Sequence, residues 1–504
     1  MVGIITEAKA RKLASNYKLT PATLIKELKP EWIPARWLQY VAVRVATAIH
    51  KGNGRLIISA PPRHGKSELI TIATSLWVQE IYHKANVILT SYGGDLAADF
   101  GRQVRNIINE NPDLLDVRIS QDRSQAKAWR NQWGGGMNSV GLGGTITGRG
   151  ADVLLIDDFI KEIKEALSVT TRQYIWDWFV TTAFTRIEPG GTCIIIATRW
   201  HHDDLIGRIL SSEDMGEWEY IHMPAFAEEN DILGREIGEP LFPERYDTPV
   251  LIERKKILGT FFFNALFQQN PENPESKLTD ASWLRILPRS ECPAITDFNP
   301  LRVWDLAATE DGGDYTTGGK YYYDSIEDIF YIDGMIRVQK SPGSIENLVE
   351  DTAKLDGVGT EIVIEQEPGS SGKILSHHFK NTILPDFTTH ALPARDGKIA
   401  RTQPFLAAVE AGRVILIEGP WNEAFIKEFG TFPGGEHDDQ VDNAGMGYAV
   451  LTGKTNISPT WGRKRVSTGH RVTTHLETPS TILTGRGVKT NISRGPTWGR
   501  KKAG

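Results

Sequence analysis

One loop of the sequence combines the residue types that hold the phosphates of a nucleotide. An apolar segment, residues 56–59, is suited to a buried strand, and a helix is predicted from Ser67 to about Tyr82. In this strand–loop–helix context, backbone N–H groups and the helix N-terminus cradle phosphates, a lysine reaches the β and γ oxygens, and a serine hydroxyl holds Mg²⁺. The predicted nucleotide-binding residues are Ala60, which stands where the usual motif has its first glycine, Pro61, Pro62, Arg63, His64, Gly65, Lys66 and Ser67.

A pair of carboxylates ends a second apolar run. Residues 152–156 lead to Asp157 and Asp158, and the carboxyl ends of neighbouring parallel strands meet at the sheet edge where phosphate would bind. We expect Asp157 to coordinate Mg²⁺, usually through water, and Asp158 to orient or deprotonate the attacking water. Glu162 is an alternative base, because many ATPases of this architecture have Glu at the second position. A third strand ends at Thr198, our candidate for sensing the γ-phosphate.

A second group of acidic residues lies in the C-terminal half. Predicted strands end at Asp305 and Glu365, and a predicted helix begins within residues 435–442 and carries Asp439. This order of elements would bring three carboxylates to one site. Hard oxygen ligands can hold two Mg²⁺ ions about 3.5 to 4 Å apart, which activate water and stabilise the leaving 3′ oxygen in phosphodiester cleavage. The open alternatives are Glu367 for Glu365, and Asp438 or Asp442 for Asp439.

The elements that position these residues alternate between strands and helices, which predicts an α/β protein with a mostly parallel sheet at the nucleotide site. A chain of 504 residues is too long for one ordinary core. The Pro- and Asn-rich run 268–275 breaks the periodicity and indicates a connection. The predicted divisions are an N-terminal extension (1–30), a P-loop ATPase domain (31–269), a linker (270–296), a nuclease domain (297–451) and a basic tail (452–504).

Composition narrows the class of protein. The chain is 40% hydrophobic and 24% charged, as in soluble globular proteins. No apolar run approaches the roughly 20 residues that a membrane span needs, so we expect a cytoplasmic protein without a membrane partner. Only Cys193 and Cys292 occur, which argues against a disulfide framework or a zinc site. The net charge of −6 argues against a general nucleic-acid coat.

Together these motifs resemble those of the large terminase subunit of tailed bacteriophages, the motor that pumps viral DNA into preformed capsids and cuts it. The resemblance covers about residues 30–450. It implies an N-terminal ATPase joined to a nuclease with a ribonuclease-H-like fold, and Asp305, Glu365 and Asp439 match the family's carboxylate pattern. The residues that carry the resemblance are 60–67, 147–158, 197–201 and 263–271.

The resemblance also implies cofactors and partners. The cofactors are ATP and Mg²⁺, with Mn²⁺ as an alternative at the nuclease site. The partners are double-stranded viral DNA, the portal protein, the small terminase subunit and further copies of this chain in a packaging ring, all in the host cytoplasm. Arg63 resembles the arginine that engages the γ-phosphate, where its charge would stabilise the transition state. Arg149 is either an arginine that reaches a neighbouring subunit or a loop arginine bonded to backbone carbonyls.

The tail is strongly basic and contains a near-repeat. From residue 452 to 504 there are 11 Lys and Arg residues against one acid, Glu477, a local charge of +10 (11 − 1). Lys454–Ser458 recurs as Lys489–Ser493, and Pro459–Lys464 recurs as Pro496–Lys501. Ser, Thr, Gly and Pro between the copies predict a flexible segment. Its charge suits an arm for phosphate or an acidic partner, or a solvated terminus, and the duplicated peptide suggests docking to the portal or the small subunit.

Two other functions fit parts of the pattern. One is a cellular helicase or repair ATPase fused to a nuclease. The other is a degenerate ATPase that serves as an assembly scaffold; it is suggested by Ala60 and Asp158, which depart from the usual motifs.

Three basic residues lie near the predicted nuclease site: Arg395, Lys398 and Arg401. They either bind DNA phosphates or form a solvated face.

Overall fold

The computed structural model describes residues 17–144, 146, 148–273, 278–294, 297–307, 314–394, 397–453 and 455. Within these ranges the chain forms two β-sheets with helices packed against them, which confirms the predicted α/β class. The tail beyond residue 455 and Arg395 lie outside the described residues. Within the same ranges, no helix has the length and apolar character needed to cross a bilayer.

The first sheet contains eight strands in the order β3-β4-β5-β2-β6-β7-β1-β8. They are β1 (Arg55–Ser59), β2 (Asn86–Ser91), β3 (Ile119–Gln125), β4 (Ala128–Asn131), β5 (Gly136–Gly141), β6 (Ala151–Asp157), β7 (Ile187–Ala197) and β8 (Glu219–His222). The six strands from β5 to β8 in this order pair in parallel, and β3, β4 and β5 pair antiparallel. The sheet is therefore mostly parallel, as predicted.

The first sheet is buried on both faces. Ile57 and Ile195 pack in one apolar cluster, and their neighbours Ile58 and Ile196 pack in another on the opposite face, because side chains alternate along a strand. This explains why the strands read as continuous apolar runs rather than as alternating patterns. The helices of this part are Pro21–Leu28, Arg36–Lys51, the π-helical turn Glu68–Ala73 continuing as Thr74–Ile81, Gly94–Glu110, Ile163–Leu167, Val169–Trp178 with the π-helical turn Phe179–Ala183, Leu205–Ser211 and Thr248–Leu266.

The second sheet contains seven strands in the order β14-β13-β10-β11-β12-β15-β9. They are β9 (Arg285–Leu287), β10 (Leu301–Asp305), β11 (Thr316–Asp324), β12 (Ile329–Val338), β13 (Glu361–Gln366), β14 (Thr389–Pro393) and β15 (Val414–Ile417). As predicted, β11 and β12 are antiparallel neighbours, and β10 lies between β11 and β13. The helices are Pro342–Asp356, Ser370–His378 with the π-helical turn Phe379–Ile383, Lys398–Glu410, Asn422–Thr431 and Asp439–Leu451.

Contacts join the two parts of the chain at a kinked helix. Gly259, inside Thr248–Leu266, has a φ of 75° that interrupts the helix. The next residue, Thr260, donates its backbone N–H to Glu410 Oε2 at 2.8 Å, and Gln403 donates to the carbonyl of Leu258 at 2.7 Å. In addition, β9 lies within the predicted linker 270–296 but pairs with β15 of the second sheet. The domain boundaries themselves stay a prediction.

Candidate functional site

The loop after β1 brings Lys66 to the carboxyl ends of three neighbouring strands. The left-handed backbone of Gly65, with φ of 91°, turns the chain into the following helix. The Lys66 ammonium donates to Asp158 Oδ1 at 2.8 Å and also to Thr198 Oγ1. Thr198 in turn donates to the carbonyl of Ala60 at 3.2 Å. Three of the predicted site residues therefore meet where the sheet edge and the loop converge.

Asp157 lies at the same edge, beside Ser67. Its carboxylate accepts hydrogen bonds from Ser67 Oγ at 3.2 Å and from Thr71 Oγ1 at 2.5 Å. The pKa of Asp157 is raised to about 6, mainly by burial and also by the charge of Asp158, while Lys66 and the two hydroxyls oppose the rise. Sequence reasoning missed Thr71; the available signal was its position one helical turn after Ser67, on the same helix face.

Asp158 and Glu162, the two candidate bases, lie in different surroundings. Asp158 follows β6 with a φ of 45°, and its Oδ1 also accepts the backbone N–H of Thr198 at 2.9 Å. A positive φ at a residue other than glycine is uncommon, and aspartate is among the residues that tolerate it. Glu162 is exposed, precedes the helix Ile163–Leu167, and is not among the residues that line the cleft at Lys66. The structure therefore brings Asp158, and not Glu162, to the phosphate-binding loop.

A cleft of about 560 Å³ opens over this loop. This volume is within the range of small-molecule sites. Arg63, with a φ of 63°, is exposed and lines the cleft. His64 does not line it: its ring is buried, stacks on Tyr246 at 4.6 Å, and has a pKa lowered to about 4, mainly by burial. Lining residues that were not among the predicted site residues are Glu68, Tyr92, Leu96, Phe100, Ile160, Lys161, Trp200, Arg245 and Leu266.

A second site lies at the edge of the second sheet. Asp305 ends β10, and Glu365 lies near the end of the parallel neighbour β13. The pKa of Asp305 is raised to about 8, mainly by burial and also by the neighbouring Glu365 and Asp439 carboxylates, while the Arg401 guanidinium opposes the rise. The three predicted carboxylates are therefore close enough to interact.

The helix Asp439–Leu451 supplies the third carboxylate. Asp439 is buried, and its Oδ2 accepts the backbone N–H of Tyr315 at 3.3 Å. Its neighbour Asp438 instead pairs with Lys398 Nζ at 2.6 Å. Among the alternatives, Glu367 is exposed and follows the end of β13, whereas Glu365 lies within β13 and shifts the pKa of Asp305. The arrangement thus favours the predicted set of Asp305, Glu365 and Asp439.

The carboxylates of this second site are the type of ligand that a hard divalent cation binds. Carboxylate oxygens are the ligands that Mg²⁺ and Mn²⁺ prefer. Burial is the main cause of the raised pKa of Asp305 and the Glu365 and Asp439 carboxylates add to it, so a bound cation would favour the ionised form of Asp305. As the side chains stand, no three His, Cys, Asp or Glu residues in the described part of the chain are at metal-ligand spacing. One carboxylate oxygen of Glu365 is bound to Arg401 instead.

Three basic residues singled out from the sequence have partners within the chain. Arg149 Nη1 donates to the side-chain oxygen of Asn138. Lys398 is paired with Asp438, and Arg401 is paired with both Glu365 and Asp442. Arg401, which sequence reasoning considered only for DNA phosphates or a solvated face, therefore lies inside the carboxylate site.

Two family profiles match the two parts of the chain. Residues 57–285 match the family profile described as "Terminase large subunit, T4likevirus-type, N-terminal", and residues 302–450 match "Terminase RNaseH-like domain". No curated protein matches the chain. Among solved structures, the large terminase of a thermophilic bacteriophage is 11% identical, with a TM-score of 0.46 over 87% of this chain and 99% of that one. The bacteriophage HK97 large terminase is 13% identical, with a TM-score of 0.35 over 88% of this chain and 100% of that one.

Proposed function

Because the chain belongs to the terminase large-subunit family, which packages viral DNA, we propose that it hydrolyses ATP to translocate double-stranded DNA into a procapsid and cleaves that DNA with a metal-dependent endonuclease. The observation that supports the motor most directly is the Lys66 ammonium, held between Asp158 and Thr198 beside the Ser67 and Asp157 pair. The family assignment argues against the cellular helicase alternative.

At the first site, binding of ATP would change the hydrogen-bond partners of Lys66 and Asp158. The γ-phosphate oxygens of ATP compete with Asp158 for the Lys66 ammonium, since both are anionic acceptors. When Lys66 moves to phosphate, the Asp158 carboxylate becomes available to orient water and accept its proton. Thr198 can donate a hydrogen bond towards the γ-phosphate when its hydroxyl turns away from the Ala60 carbonyl. Arg63, exposed in the cleft, supplies a positive charge that offsets the negative charge developing on the transferred phosphoryl group.

At the second site, the carboxylates provide the metal ligands. Divalent cations bound there would activate water and stabilise the leaving 3′ oxygen of the scissile phosphodiester. Asp305, Glu365 and Asp439 would hold these ions with anionic oxygens from two strands and one helix. The Tyr315 backbone N–H fixes the orientation of the Asp439 carboxylate, because it donates to Oδ2 at 3.3 Å.

The proposed partners follow from the family. They are viral duplex DNA, the portal protein, the small terminase subunit and further copies of this chain arranged as a ring during packaging, with the host cytoplasm as the location. The C-terminal repeat remains a proposed docking peptide. Deletion of the chain after Leu451 is expected to weaken binding to the portal or the small subunit, and unchanged binding would remove this role.

One pair of variants tests both activities on the same preparations. Lys66→Ala should abolish DNA-stimulated ATP hydrolysis while leaving cleavage of supercoiled plasmid in Mn²⁺ intact. Asp305→Ala should abolish cleavage and leave ATP hydrolysis intact. An unchanged ATPase rate in Lys66→Ala would instead favour the assembly scaffold. Strand separation on forked DNA would favour the helicase.

A further inference from the structure

One guanidinium group joins two carboxylates that come from different elements of the second site. Arg401 lies in the first turn of the helix Lys398–Glu410. Its Nη1 donates to Glu365 Oε1 at 2.6 Å, and its Nε and Nη2 donate to the two carboxylate oxygens of Asp442. Its side chain is 19% exposed, against 9% for Glu365 and 1% for Asp442. Each of its three nitrogens is therefore occupied by carboxylate in a site largely closed to solvent.

Asp442 holds the Arg401 guanidinium at two points. Both of its oxygens are engaged by the same guanidinium, which is the two-point arrangement that arginine favours over lysine. It lies in the first turn of the helix Asp439–Leu451, three residues after Asp439. Asp442 was an alternative for the third metal ligand. With both oxygens bound to Arg401, its carboxylate instead holds that arginine in place.

Glu365 is restrained by Arg401. One of its oxygens accepts from Arg401 Nη1 at 2.6 Å, and its carboxylate lies close enough to Asp305 to shift the pKa of that residue. The ion pair therefore holds the Glu365 carboxylate beside Asp305. A carboxylate restrained in this way loses less conformational entropy when it binds a cation.

The backbone that carries Arg401 is itself closely packed. A Cβ built on Gly445 of the last helix would meet Thr402 Cγ2 at 2.8 Å, so the two helices approach each other too closely for any larger residue at Gly445. Thr402 is buried and donates to the carbonyl of Lys398 at 2.8 Å. The guanidinium therefore extends from a helix whose position is set by packing.

We propose that Arg401, anchored by Asp442, is a positioning residue for the nuclease reaction: it holds the Glu365 carboxylate in the orientation that receives the divalent cation. This inference rests on the proposed nuclease function. It differs from the DNA-gripping role, because three of the five N–H groups of the guanidinium already donate to carboxylates of the chain and its side chain is only 19% exposed. The positive charge also offsets the repulsion among the acidic side chains before a cation arrives.

The experiment is a titration of plasmid cleavage with Mn²⁺, made with Arg401→Gln, Arg401→Lys and Asp442→Asn. Loss of a group that orients a metal ligand typically costs about 10- to 100-fold in metal affinity or activity. We expect Arg401→Gln to raise the Mn²⁺ concentration at half-maximal cleavage by about 10-fold or more. Asp442→Asn should act in the same direction, and Arg401→Lys should recover part of the loss. Duplex affinity measured in EDTA should be unchanged.

Controls separate the outcomes. Arg413→Gln removes a guanidinium paired with Asp328 elsewhere in the same part of the chain and should leave the Mn²⁺ dependence as in wild type. A thermal unfolding profile like that of wild type, recorded on each preparation, reports folding, and if Arg401→Gln does not fold, Arg401→Lys and Asp442→Asn carry the test. An unchanged Mn²⁺ midpoint in an active wild-type background, or weaker duplex binding with a smaller salt dependence in the Arg401 variants, would overturn the inference. Absence of cleavage by wild type would instead refute the nuclease function itself.

Discussion

The sharpest prediction concerns Glu428, which caps the helix that presents Asp439. Its carboxylate accepts the backbone N–H groups of Gln440 and Val441 at 2.5 and 3.2 Å, and the side-chain amide of Gln440 at 2.6 Å. All three residues are buried. The first N–H groups of a helix have no partner within the helix, so a carboxylate here satisfies donors that would otherwise be orphaned.

The magnitude follows from counting those donors. Each buried donor left without an acceptor costs about 1 to 3 kcal/mol, and water entering the vacated space recovers part of that loss. Glu428→Ala removes the acceptor for two backbone groups and one amide, so we expect a loss of about 3 kcal/mol in the local free energy of unfolding. The helix should open more often at its first turn, where Asp439 and Asp442 lie, and cleavage should fall while ATP hydrolysis is retained.

Hydrogen exchange of peptides that cover residues 439–451 measures this local opening directly. The matched control is Glu423→Ala, because Glu423 lies on the same helix, Asn422–Thr431, but is exposed. That change should cost less than about 0.5 kcal/mol. If Glu428→Ala left exchange in residues 439–451 as slow as in wild type, the capping argument would be wrong.

Three further perturbations test other parts of the structure. Thr71→Val removes a hydroxyl donor to Asp157 and should raise the Mg²⁺ concentration needed for ATP hydrolysis by about 10-fold, measured by titration at saturating ATP. Gly259→Ala places a Cβ at a φ of 75° and 3.1 Å from Glu410 Oε2, so denaturant unfolding should show a loss of about 1 to 2 kcal/mol; an unchanged midpoint would show that the kink is not strained. His64 has a pKa lowered to about 4, so the stability it contributes is complete above its unfolded pKa of about 6.5 and is lost as the pH falls towards 4. Between pH 7 and 5 the loss is about 2 kcal/mol, and His64→Phe should reduce the difference between urea midpoints at the two pH values.

Residues at strand ends were the most predictable part of the site. Each of four site residues lies at or next to the end of an apolar run: Asp157, Thr198, Asp305 and Glu365. Because parallel strands end at a common edge of the sheet, the sequence was enough to expect that these side chains lie close together within each site. The structure confirms the α/β class and the mostly parallel sheet at the first site. The local pattern also indicated the helix with Asp439 in its first turn.

Residues that act through a distant partner were not predictable in this way. Arg401 belongs to a helix whose sequence shows only basic charge, and its carboxylate partners come from β13 and the last helix. Glu428 caps a different helix from its own. His64 was predicted to line the phosphate site, but Tyr246 lies against its ring after the chain has folded. Such contacts depend on tertiary packing, which neither periodicity nor composition encodes.

Each site contains a carboxylate with a pKa raised mainly by burial, and a different basic side chain stabilises its ionised form. At each sheet edge, burial and a neighbouring acid raise the pKa of a carboxylate, Asp157 in one site and Asp305 in the other, and a basic side chain from a helix opposes that rise. Lys66 is a point charge on a flexible stem, so it can leave Asp158 for a phosphate oxygen. Arg401 is a planar fork bound at two points by Asp442 and at a third by Glu365, so it stays with its carboxylates. A lysine therefore suits the site where the anion arrives with the substrate, and an arginine suits the site where the anions belong to the protein and must keep their positions.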